Sequence, residues 1–118
     1  IAWCGLTEEQ AGKEGTAIAV QKFPWRYSGR AQTMAAADGF TKLIVHPERH
    51  PIHGDGIVGR NAESMIAEGT LAIEMGALAE DLALTLHPHP TLSETEAEAA
   101  EIFIGSPIHT LPTRRGDR

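Results

Sequence analysis

Residues 40–58 read FTKLIVHPERHPIHGDGIV, and this stretch decides the fold. Two apolar, β-branched runs, Phe40 to Val45 and Ile52 to Val58, flank a turn-rich segment, a pattern that predicts a β-hairpin. Two glycines, Gly54 and Gly56, indicate that the second strand is twisted or bulged. The hairpin therefore predicts an antiparallel sheet, and the flanking sequence must supply the elements that cover it.

Before the hairpin, the sequence predicts a helix and two short strands. Thr7 and Gln10 have the spacing of a capping box, so a short helix is expected over residues 7–14. The alternating run from Thr16 to Phe23 predicts a strand that is buried on one face. The segment from Arg30 to Ala37 is interpreted as a strand because it is short, although its alanines also suit a helix.

After the hairpin, the sequence predicts three helices. Asn61 is expected to cap a longer helix, which Gly76 ends. A second helix is expected from Ala79 to Leu86. A third runs from Glu94 to about Phe103 and is opened by Ser93, with acidic residues at its start. The fold class is therefore α+β, a small antiparallel sheet packed with helices.

The composition is typical of a soluble globular protein that forms a single domain over residues 1–118. The chain is 42% hydrophobic and 22% charged. Its net charge of −6 argues against a nucleic-acid partner. The basic cluster Arg114, Arg115 and Arg118 is interpreted as a solvated tail. No apolar run is long enough for a membrane span and no signal peptide is visible, so a cytoplasmic location is expected. The missing initiator Met suggests a fragment of a longer chain.

The clearest chemical feature is HPHPTLSE at residues 87–94. Each proline disfavours helical geometry in the histidine before it, and an X-Pro bond here can also be cis. If Ser93 caps the last helix, the Glu94 side chain leans toward His89. Two interpretations stay open. The carboxylate could make His89 a proton acceptor, or it could simply complement the helix dipole beside helix-terminating prolines.

Other chemistries have weaker support in the sequence. His46, His50 and His53 lie close together, but no Glu or Cys at helical spacing accompanies them, so no metal site is expected. A small histidine-rich metal-binding protein is kept as a further hypothesis. The single cysteine, Cys4, excludes an internal disulfide and a dithiol pair. The chain also lacks a nucleophile elbow and a glycine-rich loop for a dinucleotide or phosphate.

Several segments resemble one known family over nearly the whole chain. The most specific is HPTLSE at residues 89–94, and the others are GLTEEQA at 5–11, GFTKLI at 39–44, LAIEMG at 71–76 and AEDLA at 79–83. They are similar to the C-terminal interface, or dimerisation, domain of the dihydrolipoyl dehydrogenases, which are FAD/NAD-linked disulfide oxidoreductases.

The resemblance implies a role for the HPTLSE segment. His89 would take up and return the proton of a dihydrolipoyl dithiol, and Glu94 would orient the imidazole. His89 and Pro90 would lie near the flavin of the partner subunit in a homodimer. The full-length enzyme would use FAD and NAD, with neither bound by this fragment alone. The acyltransferase component of 2-oxo acid dehydrogenase complexes would be a further partner.

The chain also departs from the family pattern. The reactive cysteine pair and the FAD- and NAD-binding segments are not in this sequence, so the isolated fragment is expected to be inactive. Pro88 replaces a small residue, and the segment from His46 to His53 does not follow the pattern. Two alternatives stay open: a catalytically inert dimerisation or subunit-binding module, and the interface domain of a glutathione- or mercuric-type reductase.

Overall fold

The computed structural model describes residues 1–105 of the chain. Within these residues the elements, in chain order, are β1 (Ala2–Gly5), α1 (Glu8–Glu14), β2 (Ala19–Pro24), a 3-10 helix (Trp25–Tyr27), α2 (Gly29–Thr33), β3 (Phe40–Val45), β4 (Ile52–Val58), α3 (Ala62–Glu74), α4 (Ala79–Leu84) and α5 (Glu94–Ile104). The predicted α+β class, a small antiparallel sheet with helices, is confirmed. No helix in this described part has the length and hydropathy needed to cross a bilayer.

The four strands form one antiparallel sheet in the order β1-β4-β3-β2. The predicted hairpin is confirmed as β3 and β4 at its centre. Ile44 pairs with Gly54 while Val45 pairs with Ile52, so His53 is an extra residue on β4. The predicted irregularity of the second strand is therefore a bulge next to Gly54.

Helices α3 and α5 pack against the sheet, with α5 on β2 and β3 and α3 on β4 and β1. Phe23, Trp25, Leu43 and Ile57 are fully buried in the core. Trp25 leaves no room for side chains on the segments that pack against it, since a Cβ at Gly59 would lie 2.2 Å from its ring.

The helix starts agree with the sequence only in part. The capping box of α1 is confirmed, because the Gln10 N–H donates to Thr7 Oγ1 and the Thr7 N–H donates to Gln10 Oε1. Asn61 and Ser93 precede α3 and α5 as predicted, but neither side chain makes a cap hydrogen bond. Ser93 already has helical backbone angles, so its hydroxyl is not aimed at the free N–H groups of the first turn.

Two further elements differ from the sequence-based expectations. The strand predicted from Arg30 to Ala37 is wrong: the segment begins as α2, capped by Ser28, whose Oγ accepts from the Ala31 N–H at 3.3 Å. Strand β1 was not predicted, because its four residues are defined by pairing with β4 and not by a local pattern. The basic cluster Arg114, Arg115 and Arg118 lies outside the described residues.

Candidate active site

The loop between α4 and α5 brings His89 and Glu94 together. His89 Nδ1 lies 2.9 and 3.0 Å from the two carboxylate oxygens of Glu94, and the His89–Pro90 peptide bond is cis. The carboxylate can only accept, so Nδ1 carries a proton, and in the neutral form of the imidazole Nε2 then has the free lone pair. The His89 side chain is 71% exposed, whereas that of Glu94 is 19% exposed. The arrangement is an outward-facing imidazole oriented by a partly buried acid.

The backbone of the same loop holds the Glu94 carboxylate in place. The Thr91 N–H donates to Glu94 Oε1 at 2.7 Å, and the Thr91 hydroxyl donates to the Pro88 carbonyl at 2.7 Å. One Glu94 side chain therefore serves both the backbone at the start of α5 and the imidazole of His89. The His89–Glu94 contact, which the sequence left open, is therefore present. Glu94 also accepts the Thr91 N–H next to the start of α5, so the carboxylate has both roles.

A buried hydrogen-bond chain fixes the first turn of α5 next to Glu94. Trp25 Nε1–H donates to Thr41 Oγ1 at 3.0 Å, and Thr41 Oγ1 lies 2.7 Å from Thr95 Oγ1. Thr95 uses its only hydroxyl proton on the Leu92 carbonyl, so Thr41 must be the donor to Thr95. Sequence reasoning missed this chain, because nothing local indicates that residues 25, 41 and 95 meet.

A second histidine–carboxylate pair lies beside the first. His87 Nε2 is 2.5 Å from Glu68 Oε1 on α3, and His87 Nδ1 is 2.9 Å from the Thr85 carbonyl oxygen. The hydrogen bond to Glu68, above all, raises the pKa of His87 against an opposing desolvation effect. The sequence indicated only that His87 precedes a proline that disfavours helical geometry, and it could not show that a carboxylate 19 positions earlier would reach it.

Two carboxyl groups are buried between the sheet and the helices. Asp55 on β4 and Glu96 on α5 are almost completely buried. Among the described residues, no N–H or O–H group donates a hydrogen bond of standard geometry to any of their four carboxyl oxygens. Burial raises the pKa of Asp55 to about 7 and, helped by the charge of Asp55, raises that of Glu96 well above its usual range. One shared proton allows the two carboxyl groups to hydrogen bond to each other.

The other candidate residues do not form a site. His46 Nδ1 accepts the N–H groups of Glu48 and Arg49 at 3.2 Å, so it shapes the hairpin turn. His50 contacts Glu80 and packs on Phe103. In the part of the chain that is described, no three His, Cys, Asp or Glu side chains converge as metal ligands. Burial, as the largest effect, raises the pKa of the Cys4 thiol, which makes it a poor nucleophile at neutral pH.

Comparison with protein families gives one match over most of the chain. A family model described as pyridine nucleotide-disulphide oxidoreductase, dimerisation domain, matches residues 1–100. The dihydrolipoyl dehydrogenase of Vibrio parahaemolyticus is 50% identical over 115 residues, which cover 98% of this chain and 24% of the relative. That of Bacillus subtilis is 50% identical over 111 residues, covering 94% and 24%. The chain thus spans about a quarter of the length of the curated relatives it matches.

Solved structures show the same fold. The HOCl-induced flavoprotein disulfide reductase RclA from Escherichia coli superimposes with a TM-score of 0.79 at 26% identity, covering 84% of this chain and 23% of that one. LpdA from Mycobacterium tuberculosis gives a TM-score of 0.78 at 24% identity, covering 84% and 22%. In both cases the matching part is a small fraction of a longer chain.

Proposed function

The chain belongs to the dimerisation-domain family of the pyridine nucleotide-disulphide oxidoreductases, and from this premise we propose that it is the interface domain of an NAD-dependent dihydrolipoyl dehydrogenase. Identity of 50% to dihydrolipoyl dehydrogenases over nearly its full length supports this choice over a glutathione- or mercuric-type reductase. In this proposal residues 1–118 are one domain of a longer flavoenzyme. The proposed location is the cytoplasm, and a single free cysteine is compatible with it.

The observation that carries the proposed mechanism is the hydrogen bond from His89 Nδ1 to Glu94. With Nδ1 occupied, His89 Nε2 is free to accept a proton from a thiol of the dihydrolipoyl group. A thiol with a reference pKa near 8.5 is mostly protonated at neutral pH, and only the thiolate attacks a disulfide. The imidazolium that forms lies against the Glu94 carboxylate, which stabilises its charge. His89 later gives the proton to the thiolate that this attack releases from the disulfide, which restores the neutral imidazole.

The redox groups of this mechanism belong to other parts of the enzyme. Within residues 1–105 the His89 side chain is largely exposed, and the His89–Glu94 pair does not lie in a pocket that would enclose a flavin. The sequence also has no glycine-rich loop for dinucleotide phosphates. In the full-length enzyme of this proposal, FAD would supply the acceptor for the electrons of the dithiol, and NAD would supply the carrier that removes them. In the proposal, Pro90 and His89 lie beside the flavin of the partner subunit.

The proposal includes a homodimer, because the His89–Glu94 pair supplies only the proton-transfer groups of the site and the flavin would belong to the partner subunit. Apolar side chains shortly before this loop are exposed: Leu84 is 80% and Leu86 97% exposed, close to His87 in the sequence. Leu71 and Met75 on α3 are also exposed and line a groove with Leu82. Such surfaces are typical of protein interfaces. The net charge of −6 is compatible with a basic acyltransferase partner.

The test is His89→Gln in the full-length enzyme that contains this domain. Turnover of dihydrolipoamide is expected to fall by about 100-fold or more, because the general base is lost. The dimer and its flavin content should be unchanged, since Gln is close to His in size and the fold of this domain does not depend on the His89 side chain, which is exposed in the single chain. His53→Gln, on the bulge of β4, is the matched control and should keep its turnover. Full turnover in the His89 variant would remove it from the mechanism, and a dimeric wild type without turnover would favour the inert module.

A further inference from the structure

We propose that His87 is a positioning residue for the reaction: held as a cation by Glu68 and the Thr85 carbonyl, it fixes the loop that carries His89, and its charge counteracts that of Glu94, the partner of His89. This inference rests on the proposed function, because it assigns His87 a part in the chemistry of the same loop.

The cationic state of His87 follows from counting hydrogen bonds. Its two ring nitrogens lie 2.5 Å from a Glu68 carboxylate oxygen and 2.9 Å from the Thr85 carbonyl oxygen. Both partners can only accept, whereas a neutral imidazole has a single N–H to donate. Both contacts are hydrogen bonds only if both nitrogens carry protons. His87 is therefore an imidazolium in this conformation, and the raised pKa agrees with that state.

The burial of His87 makes this ion pair a fixed anchor. The His87 side chain is only 7% exposed, so its ring cannot leave Glu68 without burying an unpaired charge. Glu68 lies in the 13-residue helix α3, which packs on the sheet. The pair thus joins a rigid helix to the loop two residues before His89, where Pro88 and Pro90 limit the backbone further.

The charge of His87 also acts on the His89–Glu94 pair. The charged groups that act on His87 are Glu68 from α3 and Glu94 from α5, and Glu68 in turn acts on Asp55 and Glu96. The negative charge of Glu94 attracts a proton to His89, whereas the positive charge of His87, which interacts with Glu94, repels that proton. The two effects oppose each other, so His87 limits how strongly Glu94 holds His89 in the protonated form.

The experiment compares His87→Gln with His87→Lys in the full-length enzyme, using the pH profile of kcat/KM for dihydrolipoamide oxidation. In the Gln variant the positive charge is gone, so the acidic limb is expected to move up by roughly 0.5 pH unit. Misplacement of the loop should also lower kcat by about 10- to 100-fold. In the Lys variant the charge is kept, and the limb should stay in place even where kcat falls.

The control is His50→Gln, which removes the imidazole of a similar His–Glu pair at the hairpin turn and should leave the profile unchanged. An acidic limb that is the same in His87→Gln as in the parent would overturn the inference, since a merely structural anchor changes kcat alone. His89→Gln, measured alongside, separates the two proposals. If it keeps full turnover, the proposed function fails; if it is inactive while His87→Gln behaves as the parent, only the inference about His87 fails.

Discussion

Asp55 on β4 occupies the space that a side chain at position 69 of α3 would need, since a Cβ on Gly69 would lie 2.0 Å from Asp55 Oδ2 and 2.8 Å from its Cβ. The absence of a side chain on one helix residue thus makes room for a buried carboxyl group. Beside it lies Glu96 of α5, the same helix that carries Glu94 in its first turn. One member of the buried acidic pair, Glu96, and one member of the candidate catalytic pair, Glu94, therefore lie on the same helix.

Gly69→Ala is expected to destabilise the fold by about 1–3 kcal/mol, because the added methyl group meets the short, buried Asp55 side chain, which has little room to move. Urea unfolding followed by circular dichroism measures the change. Gly12→Ala is the matched control: it is also a helical glycine, with no atom within 4 Å of its Cβ, and should be neutral or stabilising by up to about 1 kcal/mol. Equal effects at both positions would contradict the packing argument.

Asp55→Asn is expected to remove a dependence of stability on pH. The folded-state pKa of Asp55 is raised to about 7, from 3.8, so between these values the folded protein holds a proton that the unfolded chain has released. Stability therefore falls as the pH rises from about 4 to about 7, by at most about 1.4 kcal/mol per pH unit for one proton, and the loss persists above pH 7. Burial raises the pKa of Glu96 as well, and its effect has the same sign.

The measurement is urea unfolding of the parent and of Asp55→Asn at pH 5 and pH 8. The parent should lose more stability than the variant between the two values. Glu14→Gln, which changes an exposed carboxylate, is the control and should follow the parent. Parallel pH dependence in the parent and Asp55→Asn would show that Asp55 does not hold the proton.

Thr41→Val is expected to cost about 1–3 kcal/mol of stability, because it leaves the buried Trp25 Nε1–H without an acceptor and Thr95 without a donor. Thr41→Ser keeps the hydroxyl and serves as the control, with a smaller loss due only to the missing methyl group. Thermal unfolding compares the two variants. If both lose the same stability, the hydroxyl chain does not hold the start of α5.

Glu94→Gln in the full-length enzyme is expected to lower turnover less than His89→Gln does, since an amide oxygen can still accept from His89 and Thr91 while the negative charge is lost. Without that charge the imidazolium is less stable, so the acidic limb of the pH–rate profile should move to lower pH. Steady-state kinetics from pH 5.5 to about 9 measure both effects. A profile that coincides with that of the parent would argue against the His89–Glu94 pair.

The candidate site could be predicted from the sequence as far as its local part. Glu94 follows His89 by five positions, and the proline-flanked loop followed by a helix start brings the two side chains together, although Ser93 does not cap the helix. The resemblance drawn from HPTLSE and the flanking segments is confirmed by the family match over residues 1–100. The Glu68–His87 pair could not be predicted, because it joins residues on separate elements.

Elements with local signals could be predicted from the sequence alone: the hairpin of β3 and β4, the capping box of α1 and the helices after residue 61. These follow from side-chain periodicity and from turn and cap residues within a few positions. Only the tertiary structure decided that residues 2–5 form an edge strand, that the segment at 29–33 is helical and that Asp55 meets Glu96. Pairing with a distant strand and burial against distant helices supply free energy that no local pattern records, so these features exist only once the chain has packed.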